Sequence, residues 1–494
     1  MMMMSTTKTT TTTGCGAPHR RRRAAVRAHA AAAAAAVRKI AVVGAGFAGV
    51  ALAFELLEGA NARGVGVDVA LVDERGLAGG ASGVAAGVLH PYTPRGKVIW
   101  RGREGVRAAK RLIALAAKAE DALDDGADAR CDDADGGWRD DVGRNSGERR
   151  DERVARACGI VRPARSAKQG RDFSRAFGAR RSGGSTKFSR AEDANTDDND
   201  DDDDDDDDDG ARCLTTTETL ALCPGLAFTD DVLDAEARGE CVGAFYAPRG
   251  VVVDAPRYLS ALWDACAFVA SRGVAGTRAS MRIATVRDID ALYDEFDDVC
   301  LCCGAAVAAL VDAEDVPLSL QGGHVLETTR PSDNDGGVSI GILGTTYVAP
   351  LGASRAMIGP TKEYDATAED ARRAGVVDRA TPRGTAAESA LRALASAAYP
   401  PASAWDVVQL KYGVRANPPR TPAGALPLAG KCKVATPSGG GRAPWFIAGL
   451  GARGLVYHAL LARWVADAVL DDDVSAIPDA VRRDATRAAG RRRE

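Results

Sequence analysis

The feature that most constrains this chain is the run Ile40-Ala41-Val42-Val43-Gly44-Ala45-Gly46-Phe47-Ala48-Gly49. An apolar segment that breaks into Gly-x-Gly-x-x-Gly and continues as a second apolar segment predicts a strand, a tight turn and a helix. Each glycine has its own steric reason. Gly44 permits the turn, Gly46 lets backbone approach a pyrophosphate, and Gly49 lets the helix pack close to the strand. The predicted helix, Phe47 to Leu57, points its orphan N–H groups and the positive end of its dipole at the phosphates. A second predicted strand, Val67 to Asp73, ends on an acid placed to accept hydrogen bonds from a ribose diol. Glu74 is the alternative acid, but the apolar run stops at Val72, which favours Asp73. Asp73 lies beyond the roughly 20-residue spacing usual for this acid. The glycine-rich stretch Gly59 to Gly66 is read as a longer turn that takes up the difference.

Composition adds bounds. Hydrophobic residues make up 46% of the 494, ample for a large core. The formal net charge of −4 hides a local asymmetry. No acid precedes Glu55, whereas Arg20 to Arg23, Arg27 and Arg38 do, in a setting rich in Thr and Ala. Residues 1–38 therefore read as a transit segment for a chloroplast or mitochondrion, the alternative being an alanine-rich start on a cytoplasmic protein. The run Ala30 to Ala36 is too short to cross a membrane, which takes about 20 apolar residues, and no later segment reads as a span. Eleven cysteines form no regular framework, and no pair of CxxC motifs has zinc spacing, so no metal site is expected. They read as small buried hydrophobes. A redox-active Cys302–Cys303 pair is the alternative for the cluster at Cys300, Cys302 and Cys303.

The pattern along the chain predicts an α/β protein: a Rossmann-type dinucleotide-binding domain, with a parallel sheet and helices, interrupted by a mixed α+β substrate domain with an antiparallel sheet. The binding domain is expected over 39–123, with a helix from Glu104 to about Leu123, and again over 213–305, where substrate-domain strands join it. The substrate domain follows over 306–404, with short alternating segments between His324 and Glu363. A closing segment of the first domain occupies 405–470, and 471–494 reads as a polar tail. Residues 124–212 are polar and end in an unbroken aspartate run, Asp200 to Asp209. Such a block cannot bury enough apolar surface to offset chain entropy, so the whole stretch reads as a disordered insertion, either tolerated or serving a basic partner.

Several separated motifs then converge. After the second strand comes Gly80-Ala81-Ser82-Gly83-Val84-Ala85-Ala86-Gly87-Val88-Leu89-His90-Pro91, and near the end comes Trp445-Phe-Ile-Ala-Gly449-Leu-Gly451-Ala-Arg453-Gly454-Leu-Val-Tyr-His458. Between them lie GVVVDAPRYLSAL (250–262), FDDVCLCCGAA (296–306), Tyr347-Val-Ala-Pro and YGVRANPPRTPAGALPLAG (412–430). In this order the chain resembles the D-amino-acid-oxidase-like family of FAD-dependent oxidoreductases, which includes glycine and sarcosine oxidases and the oxidase domain of a bifunctional tRNA-modifying enzyme. The resemblance runs from about Lys39 to Leu470, outside the insertion. It implies FAD, with Gly44, Gly46, Gly49 and Asp73 at its pyrophosphate and ribose, Ala81 and Ser82 on the flavin side, and Gly304, Gly449, Gly451, Arg453 and Gly454 closing around it. A helix N-terminus at Gly454 would stabilise the negative charge of reduced flavin. No cysteine stands in the Arg415 to Pro422 loop, so the FAD is expected to be noncovalent.

The implied reaction is two-electron oxidation of a C–N bond in a small amine or amino acid, with imine hydrolysis. By the same resemblance, Arg415 holds a substrate carboxylate, as arginine does bidentately. Tyr347 lends its hydroxyl, and His90 faces the ring from the loop that also holds Lys97. His458 reads as a packing residue. No second Gly-x-Gly-x-x-Gly follows a strand, so electrons are expected from the substrate, and oxygen or another carrier takes them onward. One departure stands out: Ala423 replaces the usual acid after Thr421-Pro422. Two further readings stay open. One is action on a carboxymethylaminomethyl-modified tRNA uridine, although no RNA-binding module is evident. The other is a non-catalytic flavin-binding protein.

Overall fold

The computed structural model describes residues 37–124, 153–177, 209–332, 337–422, 424–432 and 442–483. Residues 1–36 of the expected transit segment, the aspartates before Asp209, Ala423 and residues 484–494 lie outside the described residues. The start of the expected polar tail packs on the fold: Ile477 and Val481 are buried and Arg482–Arg483 is an edge strand, which corrects that reading over 471–483.

The predicted strand–turn–helix forms as Arg38–Val43, the glycine turn and a helix over Phe47–Arg63. That helix is apolar all round because it is covered on several sides. Leu52, Leu56 and Leu57 are fully buried between the sheet and the helices Ala255–Arg272 and Gly454–Asp471. The extra spacing before Asp73 is helix rather than turn, which corrects the expectation for Gly59 to Gly66. Gly59 is tolerated inside the helix, where the Leu470 side chain leaves little room for a Cβ. Gly64, at φ 67°, ends the helix, and its N–H donates back to Ala60 and Asn61 carbonyls.

Two large sheets organise the described residues. The cofactor-type sheet has seven strands in the order Arg482–Arg483, Leu428–Lys431, Trp445–Ala448, Asp298–Leu301, Arg38–Val43, Val67–Asp73 and Arg278–Ile283. Its five strands from Trp445–Ala448 to Arg278–Ile283 run parallel. The second sheet has nine strands, in the order Gly375–Val377, Val407–Asn417, Ser319–Thr329, Arg355–Gly359, Tyr347–Leu351, Gly341–Leu343, Ile160–Pro163, Ala244–Ala247 and Arg212–Leu214. It is antiparallel except where Gly341–Leu343 runs alongside Ile160–Pro163. One face of it, carrying Val161, Ile342, Val348, Ile358 and Leu410, packs on the helix Pro382–Ala398. The α/β fold with a mixed second sheet agrees with expectation.

The disordered reading of 124–212 needs a correction. Within it, Ala155–Arg156 pairs with Val251–Val253, and Ile160–Pro163 is an interior strand of the nine-stranded sheet. A helix over Ala167–Phe177 buries Phe173 and Phe177. The apolar signal was short, Ile160-Val161 and two phenylalanines one helical turn apart, and the arginines around it hid the pattern. No helix among the described residues is long and apolar enough to cross a membrane.

Candidate functional site

The site is built where three backbone turns converge over one face of the nine-stranded sheet. The first is the glycine turn. Gly44 takes φ +107°, and a Cβ there would lie 2.6 Å from the Cys302 carbonyl oxygen. A Cβ on Gly49 would stand 1.7 Å from the Gly44 oxygen, so strand and helix touch through backbone alone. Asp73 braces the turn: its Oδ2 accepts from Ala45 N at 2.9 Å, and its Oδ1 accepts from the amides of Arg75 and Gly76.

The second turn carries Ala81 and Ser82 in a short 3-10 helix, Ala81–Val84. Ser82 Oγ accepts from Phe47 N at 3.0 Å, at the start of the first helix. A Cβ on Gly46 would come within 2.7 Å of that oxygen. The first turn of the helix holds no acid, and a Cβ on Gly304, beside the glycine turn, would meet no atom within 4 Å. A positive helix end without an acid, close backbone and open space at Gly304 together fit a dinucleotide pyrophosphate.

The third turn follows Trp445–Ala448. Gly449 and Gly451 have positive φ, and a Cβ on Gly451 would press on Asn417 Oδ1, so this turn abuts the strand that carries Arg415. Gly454 opens the closing helix, with Phe47 3.5 Å from where its Cβ would be. Cys302 and Cys303 are free thiols, not a disulfide, and burial pushes the Cys303 thiol up to about 12.

Strand register decides which side chains face these turns. Leu326 pairs with both Ile358 and Leu410, Ile358 pairs with Val348, and Ile342 pairs with both Val348 and Val161. These residues face the Pro382–Ala398 helix. By alternation, Arg162, Tyr347, Lys411, Gly413 and Arg415 share the opposite face. That face meets the flavin-side loop: a Cβ on Gly413 would touch Ala81 and Val84, and the Tyr347 hydroxyl lies against the Ala86 amide. Burial raises the Tyr347 pKa, while the nearby Arg415 charge opposes the rise. Arg415 has no carboxylate partner among the described residues.

The structure also brings together His90, Arg453 and Arg162, the last of which sequence reasoning missed. His90 Nδ1 accepts from Tyr92 N at 3.1 Å. Its enclosure, and then the charges of Arg162 and Arg453, push its pKa down to about 3, so the ring is neutral at ordinary pH. Lys97, by contrast, is exposed in a surface turn closed by Thr93 N donating to the Lys97 carbonyl. Sequence reasoning also missed the charged wall next to the loop. Glu327 accepts from Lys411 Nζ at 2.7 Å and Arg355 Nη1 at 2.9 Å, and Arg355 Nη2 donates to Asp254 at 2.7 Å. Burial opposes ionisation of Glu327, but its two cations outweigh burial and hold the carboxyl below its usual range. This wall lines a recess of about 210 Å³ that also touches Gly83 and Ala85. Only strand alternation signalled Glu327, Arg355 and Lys411, and alternation says nothing of pairing. Among the described residues no cluster of three or more His, Cys, Asp or Glu is arranged to hold a metal.

Comparison with known proteins agrees with this geometry. The family model described as FAD dependent oxidoreductase (DAO) matches residues 39–468. A search of curated proteins returns no match. Among solved structures, glycine oxidase from Geobacillus kaustophilus superposes with a TM-score of 0.55 at 21% identity, covering 88% of this chain and 95% of that one. Iminodiacetate oxidase from Chelativorans sp. BNC1 gives 0.56 at 17% identity, covering 90% and 99%. Fructosyl amine: oxygen oxidoreductase from Aspergillus fumigatus gives 0.53 at 13%, covering 92% of each. At these identities the structural matches speak for the fold, and the family model, spanning most of the chain, speaks for descent: the chain belongs to the DAO family of FAD-dependent oxidoreductases.

Proposed function

We propose that this protein oxidises the C–N bond of a small amine or amino acid bearing a carboxylate, using noncovalent FAD. The observation that carries the reading is the placement of Arg415 and Tyr347 on the sheet face that meets the Ala81–Val84 turn, with no acid among the described residues to neutralise Arg415. Gly44, Gly46, Gly49, Ala81, Ser82 and Gly304 would hold the pyrophosphate side of the cofactor, Asp73 the ribose side, and the turn from Gly449 to Gly454 the flavin side. When bound, FAD supplies the two-electron acceptor for hydride leaving the substrate carbon. The chain's own task is then orientation, which sets the C–H bond at reacting distance. Arg415 grips the carboxylate, the Tyr347 hydroxyl lies beside it, and neutral His90 can donate only through Nε2. The imine that leaves is hydrolysed by water, and oxygen or another carrier restores the enzyme. Iminodiacetate, fructosyl amine and glycine, named for the structural neighbours, define the substrate range worth testing. The acid-free, arginine-bearing start of the sequence supports delivery to a chloroplast or mitochondrion.

The test is anaerobic mixing of the FAD-loaded protein with glycine, N-methyl amines, iminodiacetate and other amino acids while the flavin absorbance is followed. Bleaching by at least one carboxylated amine is expected. A protein that binds FAD yet keeps its colour with all of them is a binder, not an oxidase. A second reading, an amine carried on nucleic acid, draws on one feature: a recess of about 100 Å³ beside His90, lined by Arg103, Arg107, Lys110 and Arg249 against the single acid Asp209. Bleaching by undermodified tRNA but by no free amine would select it.

A further inference from the structure

The sheet face under the flavin-side loop carries charge unevenly. Where it meets Gly83 and Ala85, its cations are matched: Lys411 and Arg355 are bonded to Glu327 and Asp254. Elsewhere on the face they are not. Arg162 comes from the Ile160–Pro163 strand, separated from the Tyr347 strand by Gly341–Leu343 alone. It is half-buried, its Nε is enclosed without a hydrogen-bond partner, and among the described residues no carboxylate pairs with its guanidinium. The charge that acts on it is that of Arg453, and both guanidinium groups act on neutral His90. Enclosure first, and then Arg453, pull the Arg162 pKa down to about 10. An enclosed, repelled and unmatched guanidinium costs stability unless an anion arrives to satisfy it.

Resting on the function proposed above, we infer that Arg162, with Arg453 beside it, binds a second anionic group of the substrate, so that the preferred amines carry two acidic groups. Arg415 takes one carboxylate, and the Arg162–Arg453 side takes the other. Two fixed cationic anchors hold both ends of the molecule, which fixes its orientation more strictly than one. The class of reaction that supplies such a substrate is one that joins an amine to an acid-bearing carbon, and the products are an amine and a carbonyl compound of which at least one keeps a carboxylate.

The experiment uses the FAD-loaded full chain and inert ligands, so that it does not depend on turnover. Malonate, succinate, glutarate and adipate are titrated by calorimetry against propionate, butyrate, pentanoate and hexanoate, the monocarboxylates of equal length. At least one dicarboxylate should bind tenfold or more tightly than its partner, roughly the worth of one charged hydrogen bond. In Arg162→Met that advantage should fall below threefold, and in Arg162→Lys part of it should survive. The Met variant should also melt at or above the wild-type temperature without ligand, because it removes an unmatched cation, and should gain no more from an added dicarboxylate than from the monocarboxylate of equal length. Four pairs that all bind within threefold in the wild type, or an advantage that persists in Arg162→Met, would overturn the inference. The proposed oxidation is judged apart from this, by flavin bleaching: a two-acid preference in a protein that no amine bleaches leaves the anion site standing and removes the oxidase reading.

Discussion

The Tyr258 hydroxyl donates a hydrogen bond to Nε2 of His458 across 2.7 Å, inside a fully buried contact between two helices. The tautomer follows from the other ring nitrogen, since Nδ1 donates to the Leu455 carbonyl at 3.0 Å and leaves Nε2 as the acceptor. Phe47, the first residue of the glycine-turn helix, packs against both rings. One polar pair thus joins the helix that follows Asp254, the closing helix and the start of the first helix, which is where the cofactor's phosphates are expected.

Removing the donor should be felt as stability rather than chemistry. Tyr258→Phe leaves Nε2 buried without a partner and should cost about 1–3 kcal/mol in urea denaturation at pH 7. Unchanged stability would mean that water or a rearranged ring replaces the hydroxyl.

The same histidine sets an acid limit. Burial pushes the His458 pKa down to about 4, from about 6.5 in the unfolded chain. The unfolded state therefore takes up a proton first as pH falls. The stability that His458 contributes is complete above pH 6.5 and drains away toward pH 4, by about 3 kcal/mol in all. The wild-type advantage over His458→Gln should narrow by that amount across the window, measured as unfolding free energies at several pH values. A difference that does not vary with pH would show that the ring is not buried neutral.

Glu55 predicts a slope of opposite sign. It sits on the first helix, only 6% exposed, and accepts from Arg111 Nη1 at 2.7 Å, while Arg111 also pairs with Glu58. Burial pushes its pKa up to about 7, more than Arg111 can pull it down. Between pH 4.5 and 7 the unfolded chain ionises while the folded chain does not, so this residue's contribution falls as pH rises and levels off above 7. Glu55→Gln should gain on the wild type by about 3 kcal/mol between pH 4.5 and pH 8. Parallel stability curves for the two proteins would contradict it.

At the glycine turn, Gly49→Ala should be severe, because its Cβ would fall 1.7 Å from the Gly44 oxygen and backbone must move. Flavin absorbance per chain should drop several-fold after reconstitution. Gly304→Ala meets no atom, and its φ of +56° costs about 1 kcal/mol. If that variant loses flavin while keeping its melting temperature, the open space at Gly304 belongs to the cofactor.

Arg415→Ala should weaken binding of carboxylate ligands by about 1.5–3 kcal/mol, the size of a charged hydrogen bond, with flavin content unchanged. Unaltered affinity in a calorimetric titration would take Arg415 out of the site.

What could be read in advance divides along physical lines. The glycine turn was legible because steric demands at Gly44 and Gly49 leave almost no other residue, whereas the closing turn was reached through resemblance, and only Gly449 and Gly451 in it take positive φ. Arg415 and Tyr347 were reached through resemblance, and strand register then placed them on one face. Arg162 was out of reach. Its strand has four residues, flanked by arginines, and becomes part of the sheet only because Gly341–Leu343 and Ala244–Ala247, distant in sequence, pair with it. The helix length hidden by Gly59 was missed because a glycine inside a helix looks like a turn until the Leu470 side chain that crowds it is known.

The seven-stranded sheet is threaded from segments far apart in the chain. Arg38–Val43 and Val67–Asp73 are synthesised long before Trp445–Ala448, which covers the free side of Asp298–Leu301. During translation the nascent chain must therefore carry an uncovered, apolar parallel edge through most of its synthesis, a state prone to pairing with other chains. Emergence of Trp445–Ala448, rather than of any early half, is the event that covers this edge. A chain cut short before Trp445 would be expected to aggregate instead of persisting as a smaller flavoprotein.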